Sequence, residues 1–409
     1  MISQSAGLAI VNVGVFDGES PDLTDGPVVI RGGRIESIGA PAPSGDEVLD
    51  AGGGTVLPGL IDAHFHAYGI SLDMFDMEAN HLSYVAIVAA MRLRSALRRG
   101  FTTIRDVAGG DAGIARAIQE GHVQSPRYLF TGAALSQTGG HGDGRPQHWE
   151  VCPCHGHAVQ VVDGVDPLRV AVRERFRQGA HAIKIMTSGG VVSLTDPIRT
   201  PQYSPEEIRV VTDEATRRGS YVAAHAYSPE AIVHSVRNGV RSIEHGNLLD
   251  LESASAMAEH HAFLVPTLAC YDAMDRRGQD LGMKKISREK NREVLDAGRD
   301  AIETAVAAGA PVGFGTDLMG VLEAEQLNGL RLQAEVTGTL ELLRSATSRN
   351  ADLISRPDLG RIRVGGIADL LILQGNPFEN SECLWSPHTE RVVIQNGRVV
   401  HHGPAPEAD

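Results

Sequence analysis

The chain is short of several things, and each shortage excludes something. Of its 409 residues only four are cysteines (Cys152, Cys154, Cys270 and Cys383), and 4% are aromatic, with two tryptophans. So few cysteines in so long a chain make no disulfide framework, which excludes the small stapled folds of secreted proteins. No apolar run approaches the ~18 residues that a membrane-spanning helix needs. Met1–Gly7 carries no basic segment ahead of Leu8–Val15, a strand-like run interrupted by Asn12 and Gly14. No signal peptide and no membrane span are therefore expected, and the expected location is cytoplasmic. Basic charge is scarce as well: 37 Lys and Arg stand against 51 Asp and Glu, a formal net charge of −14. That balance argues against nucleic acid or an anionic membrane as a partner.

What is present suffices for a large core, with 42% hydrophobic residues. Both ends of the chain read as β-structure. Alternation and turn residues predict strands at 8–16, 27–31, 34–38 and 48–50, with Gly32-Gly33 as a hairpin signal, and again at 368–373, 389–395 and 398–401. Between them strand and helix alternate. A helix at 78–99 stops at Gly100, and strands follow at 102–107 and 128–132. Ser204-Pro205-Glu206-Glu207 reads as a capping box with proline at the first helical position, and Ser228-Pro229-Glu230 opens another helix. A long helix at 286–308 precedes a strand at 311–315. About eight strand–helix units imply a parallel sheet. The expected fold is α/β: a distorted (β/α)₈ TIM barrel over 58–358, with a small β-sandwich domain built from both termini, 1–57 and 359–409. A doubly wound open sheet is the alternative.

The residues with chemistry to offer gather at the predicted ends of these strands. In Asp62-Ala63-His64-Phe65-His66 the two histidines stand at i and i+2, on one face of a strand, while Phe65 points back into packing. Lys184, His225, His245 and Asp317 arrive at other strand ends, and in a barrel all of these converge on one rim. Lysine inside an apolar strand is costly unless paired or neutralised. One reading pairs Lys184 with a carboxylate; the other makes it a carbamate formed with CO₂, whose two anionic oxygens bridge a pair of cations. With the carbamate the ligand count closes: His64, His66 and Asp317 for one divalent ion, His225 and His245 for the second, Lys184 and a hydroxide between them. The nitrogen and oxygen donors suit Zn²⁺, with Mn²⁺, Co²⁺ or Fe²⁺ also accommodated. Two such ions acidify the bridging water and polarise a carbonyl, and Asp317 takes the water's proton and passes it to a leaving amine.

This ordered set, together with the run Gly365–Leu373 and Asn376-Pro377, resembles the amidohydrolase superfamily, in its binuclear form with a carboxylated lysine. The segments Ile183–Val191, His225-Ala226-Tyr227 and Ile243–Asn247 resemble its imidazolonepropionase-like subgroup. That subgroup includes prolidase-type dipeptidases and carboxypeptidase-like enzymes that cleave before a C-terminal Pro, Arg or Lys. Imidazolonepropionase itself uses one metal without the lysine, so Lys184 points to the dipeptidase side. The resemblance implies a metal-dependent hydrolase of C–N amide bonds acting on a small molecule, and a homo-oligomer. Release of a C-terminal proline is the first expectation and of Arg or Lys the second. Hydrolysis of N-acyl amino acids, amide xenobiotics or cyclic amides on the same centre is the alternative. A non-catalytic barrel assembly protein would be expected to lack ligands, and no member of the set is missing.

Around the metal set, Tyr227 is a candidate donor to the tetrahedral oxyanion. His141, in a glycine-rich loop, is a candidate for the substrate's carboxylate or carbonyl, as are Arg199 and Tyr203 in the loop after Lys184. Glu323 and Glu325 are candidates for a basic specificity pocket. The Cys152–His157 segment does not have structural-zinc spacing and is expected to be a lid. Arg105 and Asp106 are expected to form an ion pair beneath the site, and 92–99 a solvated helix face.

Overall fold

The computed structural model describes residues 7–145, 156–193 and 196–406. The first strands are β1 (Leu8–Val15), β2 (Thr24–Asp25), β3 (Val28–Arg31), β4 (Arg34–Ile38) and β5 (Glu47–Pro58). Nine more occupy the middle of the chain. They are β6 (Leu60–Phe65), β7 (Phe101–Asp106), β8 (Arg127–Phe130), β9 (Ala134–Ser136), β10 (Val159–Val161), β11 (Ile183–Met186), β12 (Val222–Ala226), β13 (Ser242–His245) and β14 (Phe263–Val265). The last are β15 (Leu370–Leu373), β16 (Arg391–Gln395) and β17 (Arg398–Gly403).

The middle strands pair in parallel, as two sheets: β10-β9-β11-β12-β13-β14 and β6-β7-β8. Strands such as β11 (IKIM) and β12 (VAAHA) are short and buried throughout, as parallel strands covered by helices must be. Backbone bonds extend beyond the ladders: His181 N donates to Phe130 O (2.8 Å), Ala63 N to Phe314 O (3.0 Å), and Val312 bridges Leu264. The strand expected at 311–315 is thus a single bridge plus these bonds rather than a ladder. The capping box at Ser204 forms as read, with the Ser204 and Glu207 side chains satisfying each other's backbone N–H groups.

The helix expected at 78–99 is two helices, Met74–Ala79 capped by Asp73 and Leu82–Arg98. Nor is its basic run a solvated face. Arg92 and Arg99 are buried, the first donating to the carbonyls of Gly69 and Leu318, the second paired with Glu323. Five apolar positions of the same helix turn toward the core, and Arg92 reaches loop carbonyls by running alongside them.

Strands from both termini form one eight-stranded sheet, in the order β17-β16-β15-β5-β1-β3-β4 with β2 beside β1. Its central strand β5 runs through Gly59 alone into β6. A Cβ at Gly59 would lie 2.1 Å from Thr102 Oγ1, so the junction admits no side chain. β15 alternates between two cores. Leu370 and Ile372 pack with Ile10, Val28 and Ile394 of its own sheet, while Leu371 and Leu373 join Leu60, Phe101 and Phe314. No described helix is long and apolar enough to cross a membrane.

Candidate metal centre

Register sets the heights of the side chains at the rim. Met186 lies opposite His225 and Ala226 opposite His245, whereas Lys184, second residue of β11, lies opposite Ala223 and one layer deeper than His225. It is therefore not at the strand end as expected, but alternation points it, with Met186, to the same inner side. His64 and His66 share a face, ring centroids 5.2 Å apart, and Phe65 is fully buried on the other side. His245 breaks the alternation. Glu244 already faces inward, so His245 would face out with Ile243, but its backbone is left-handed (φ 75°) and turns the ring back to the cavity. Asp317 (φ 54°) and Thr267 (φ 48°) are left-handed too. Non-glycine residues there cost roughly 1–3 kcal/mol each, which surrounding bonds must offset. Asp317 N donates to His64 O (2.8 Å), and Thr316 Oγ1 donates to the buried Asp62 carboxylate (2.6 Å).

The histidines are held from behind. His64 Nδ1 meets Glu244 Oε2 at 2.6 Å, His225 Nε2 donates to Gly189 O at 3.1 Å, and His245 Nδ1 meets the hydroxyls of Thr267 (2.9 Å) and Tyr271 (2.7 Å). His66 Nε2 lies 2.9 Å and His64 Nε2 3.4 Å from Asp317 Oδ1. Among the described residues His64, His245 and Asp317 each offer a ligand atom, all within 4.8 Å of one another. Burial alone would raise the Asp317 carboxyl, yet His64 and His66 hold it well below the usual range. Burial lowers the Lys184 ammonium to about 8, against the opposing pull of Glu244 and Asp317. Burial also drives His225 and His245 well below the ordinary imidazole range, leaving neutral rings able to bind a cation.

Glu244 went unnoticed in the sequence. Arg105 Nη2 donates to both its oxygens (2.8 and 3.0 Å) and Ser242 Oγ to one (2.5 Å). Burial would raise this carboxyl, but Arg105 and His64 keep it below the ordinary carboxylate range. The only signal was an acid inside a buried strand beside a histidine. The expected Arg105–Asp106 pair does not form, because neighbours on a strand face opposite ways. Asp106 instead accepts from Tyr128 Oη (2.7 Å), and burial raises its carboxyl to about 7.

Tyr227 lines the cavity, with its hydroxyl 2.7 Å from that of Tyr271, a second residue the sequence reading missed. His141 lines it as well, stacked on His225 at 4.1 Å with Nδ1 2.9 Å from Ser193 Oγ. Arg199 and Tyr203 are not brought to it. The Arg199 side chain is 58% exposed and pairs with Glu293, and Tyr203 is buried with its hydroxyl donating to Val162 O. Glu323 is paired with Arg99 and Glu325 with Arg276, away from the cavity wall. Of the expected lid, Cys152–His155 lies outside the described residues, and His157 pairs with Glu78 at 2.9 Å. The cavity measures about 90 Å³, and five of the chain's nine methionines line it: Met74, Met77, Met186, Met274 and Met319.

The amidohydrolase family profile matches residues 55–400. The ochratoxinase of Aspergillus niger is 30% identical over 428 residues, covering 97% of this chain and 87% of its own. A solved prolidase, complexed with N-methylphosphonate-L-proline, superposes with a TM-score of 0.94 at 42% identity, over 97% of this chain and 100% of that one. A Xaa-Pro dipeptidase with methionine bound in its active site superposes with a TM-score of 0.87 at 29% identity, over 97% and 100%.

Proposed function

The chain belongs to the amidohydrolase family and is a hydrolytic enzyme acting on amide bonds, and from that premise we propose that it is a metal-dependent dipeptidase releasing a C-terminal residue, proline first. The carrying observation is the set of outer partners. Glu244, Gly189 O and the Thr267–Tyr271 hydroxyls each occupy one ring nitrogen of a histidine, leaving the other free to face the cavity. Metal-binding histidines are fixed in this way, so the donor set fits a divalent metal. His64, His66 and Asp317 would hold one ion, His225 and His245 a second, with carboxylated Lys184 between them. A lysine lowered to about 8 keeps roughly a tenth of its amine uncharged near pH 7, the form that adds CO₂. Zn²⁺ is the proposed metal.

Bound metal supplies an acidified water and a polarised carbonyl. The chain supplies the rest. Asp317, held ionised, accepts a proton and returns it to the leaving nitrogen. Tyr227, whose hydroxyl meets that of Tyr271, is the proposed donor to a developing oxyanion. His141, stacked over His225, is the proposed contact for the substrate's carboxylate.

Among the described lining residues Asp317 is the only carboxylate, so a basic leaving group finds no further counter-charge among them. That ranks proline ahead of Arg or Lys. The prolidase bound to a proline phosphonate supports this order, and the dipeptidase holding methionine supports an apolar partner residue. A second reading, hydrolysis of an N-acyl amino acid or another amide, rests on the likeness to ochratoxinase. The same proposal takes 58–358 as one closed barrel, for which the Phe130–His181 and Ala63–Phe314 backbone bonds speak. It takes 1–57 with 359–409 as a sandwich, and the assembly as a homo-oligomer. The test is release of free amino acid from Xaa-Pro, Xaa-Arg and Xaa-Lys dipeptides by Zn²⁺-loaded protein, with metal counted alongside. Fast proline release with about two metals per chain is expected; a full metal complement with no dipeptide turnover moves the substrate to N-acyl amino acids.

A further inference from the structure

The long helix Lys285–Ala307 contributes nothing to the described cavity wall, yet one of its side chains reaches the loop that does. The Lys290 ammonium donates to Gly190 O (3.0 Å), Ser193 O (2.9 Å) and Asp196 O (2.9 Å). An ammonium has three protons and no acceptor, so these bonds use all of it. Carbonyl oxygens turned toward one point repel unless a cation replaces their water, as in the carbonyl sites of ion channels.

Much of the site hangs from that loop. Gly189 O fixes His225 Nε2, and Val191 and Val192 line the cavity. Ser193 Oγ meets His141 Nδ1 and donates to Gly190 O (3.2 Å). Gly190 lies so close to the His141 ring that a Cβ would sit 2.1 Å from it, so the ring's stack on His225 follows the loop's path. The loop also buries the Asp196 carboxylate. Its Oδ2 accepts from Gly190 N and Gln202 Nε2 at 3.2 Å, while Oδ1 has no partner among the described residues. Three inward carbonyls and a half-satisfied carboxylate give the loop an anionic interior, and Lys290 is the cation set against it.

We propose that Lys290 is a built-in monovalent cation, a positioning residue whose ammonium holds residues 189–193 in the shape that places His141 and His225. Shortening its side chain leaves a three-carbonyl site that takes a free primary ammonium ion. The inference concerns loop order and does not depend on which amide is cleaved.

The experiment is hydrogen exchange of the full-length, Zn²⁺-loaded protein over 187–193, with kcat on the best amide substrate read in parallel. Lys290→Ala is expected to exchange about tenfold faster there, as a segment opening locally does, to lose kcat by a similar factor, and to raise KM as His141 loses its place. Ethylammonium should restore them. Tetramethylammonium, with no N–H to donate, should restore none. Lys290→Met keeps the apolar stem and is expected to behave like the alanine variant. Wild-type protection in Lys290→Met would overturn the proposal, since the stem alone would then hold the loop. So would equal effects of the two ammonium ions on Lys290→Ala. If wild-type protein turns over no dipeptide, that fails the substrate reading only, and the exchange measurement still decides this one.

Discussion

Two residues proposed for the site, Lys184 and Tyr227, can be told apart by assay. Lys184→Ala removes the side chain proposed to lie between the two ions, so bound metal is expected to fall from about two per chain with loss of activity, whereas Tyr227→Phe should keep its metal and lose turnover. Full metal in the lysine variant would sink the carbamate. Glu244→Gln keeps the volume but takes the anion from both His64 and Arg105, the latter fully buried. Metal affinity is expected to weaken 10–100-fold, in the range seen when an outer partner of a ligating histidine is lost. Thermal stability should drop by roughly 3–5 kcal/mol, the cost of a buried charge left unpaired. Metal titration and melting read the two losses separately. At this scale the sequence was legible where residue type and spacing decide, as at His64 and His66. It was not legible for Glu244 and Tyr271, whose importance lies in partners 180 and 26 residues away, at His64 and His245. Arg199 and Tyr203 failed for the complementary reason: they are near Lys184 in the chain, but their loop turns one to solvent and the other into the core.

Among elements, the helix Leu82–Arg98 acts as a clamp. From its inner face Arg92 donates to Gly69 O, beyond His66, and to Leu318 O, beyond Asp317. Arg92→Met would take the donor from Leu318 O and leave Gly69 O with Gly320 N alone, while preserving the stem. The expected outcome is a kcat loss of about tenfold, because ligand-bearing loops relax by fractions of an ångström. A near-wild-type KM and a circular-dichroism spectrum matching the parent would separate this from unfolding. The basic run of this helix was read as solvated because periodicity reports which positions are apolar, not how far a long polar side chain reaches. Strand positions were easier to read, since short β-branched runs bounded by glycine and proline announce themselves. The exceptions were β2, β9 and β10, two or three residues each, too short to show a period.

The whole molecule unfolds as one unit if its cores are as shared as β15 makes them. Leu371, fully buried among Leu60, Phe101 and Phe314, lies on the sheet's inner face; Leu371→Ala should cost ~2–5 kcal/mol. Calorimetry should still show a single transition, with no early melting of the terminal sheet. Stability should also depend on pH through Asp106. Its carboxyl titrates near 7 when folded against 3.8 when free. The stability it contributes is therefore full below the free value and lost as pH rises through the folded one. The melting-temperature advantage of wild type over Asp106→Asn should be largest below about pH 4 and shrink as pH rises to about 7. The single-residue step at Gly59 bears on how such a chain can be inherited. A crossover there between two related genes would pair one parent's β1–β5 with the other's β15–β17, setting Leu370 and Ile372 against a foreign Ile10 and Val28. In a shuffled library, surviving crossovers should cluster at open turns such as Gly121 and Gly282, where an added Cβ meets nothing, and the codons for Val56 to His66 should pass to offspring as one block.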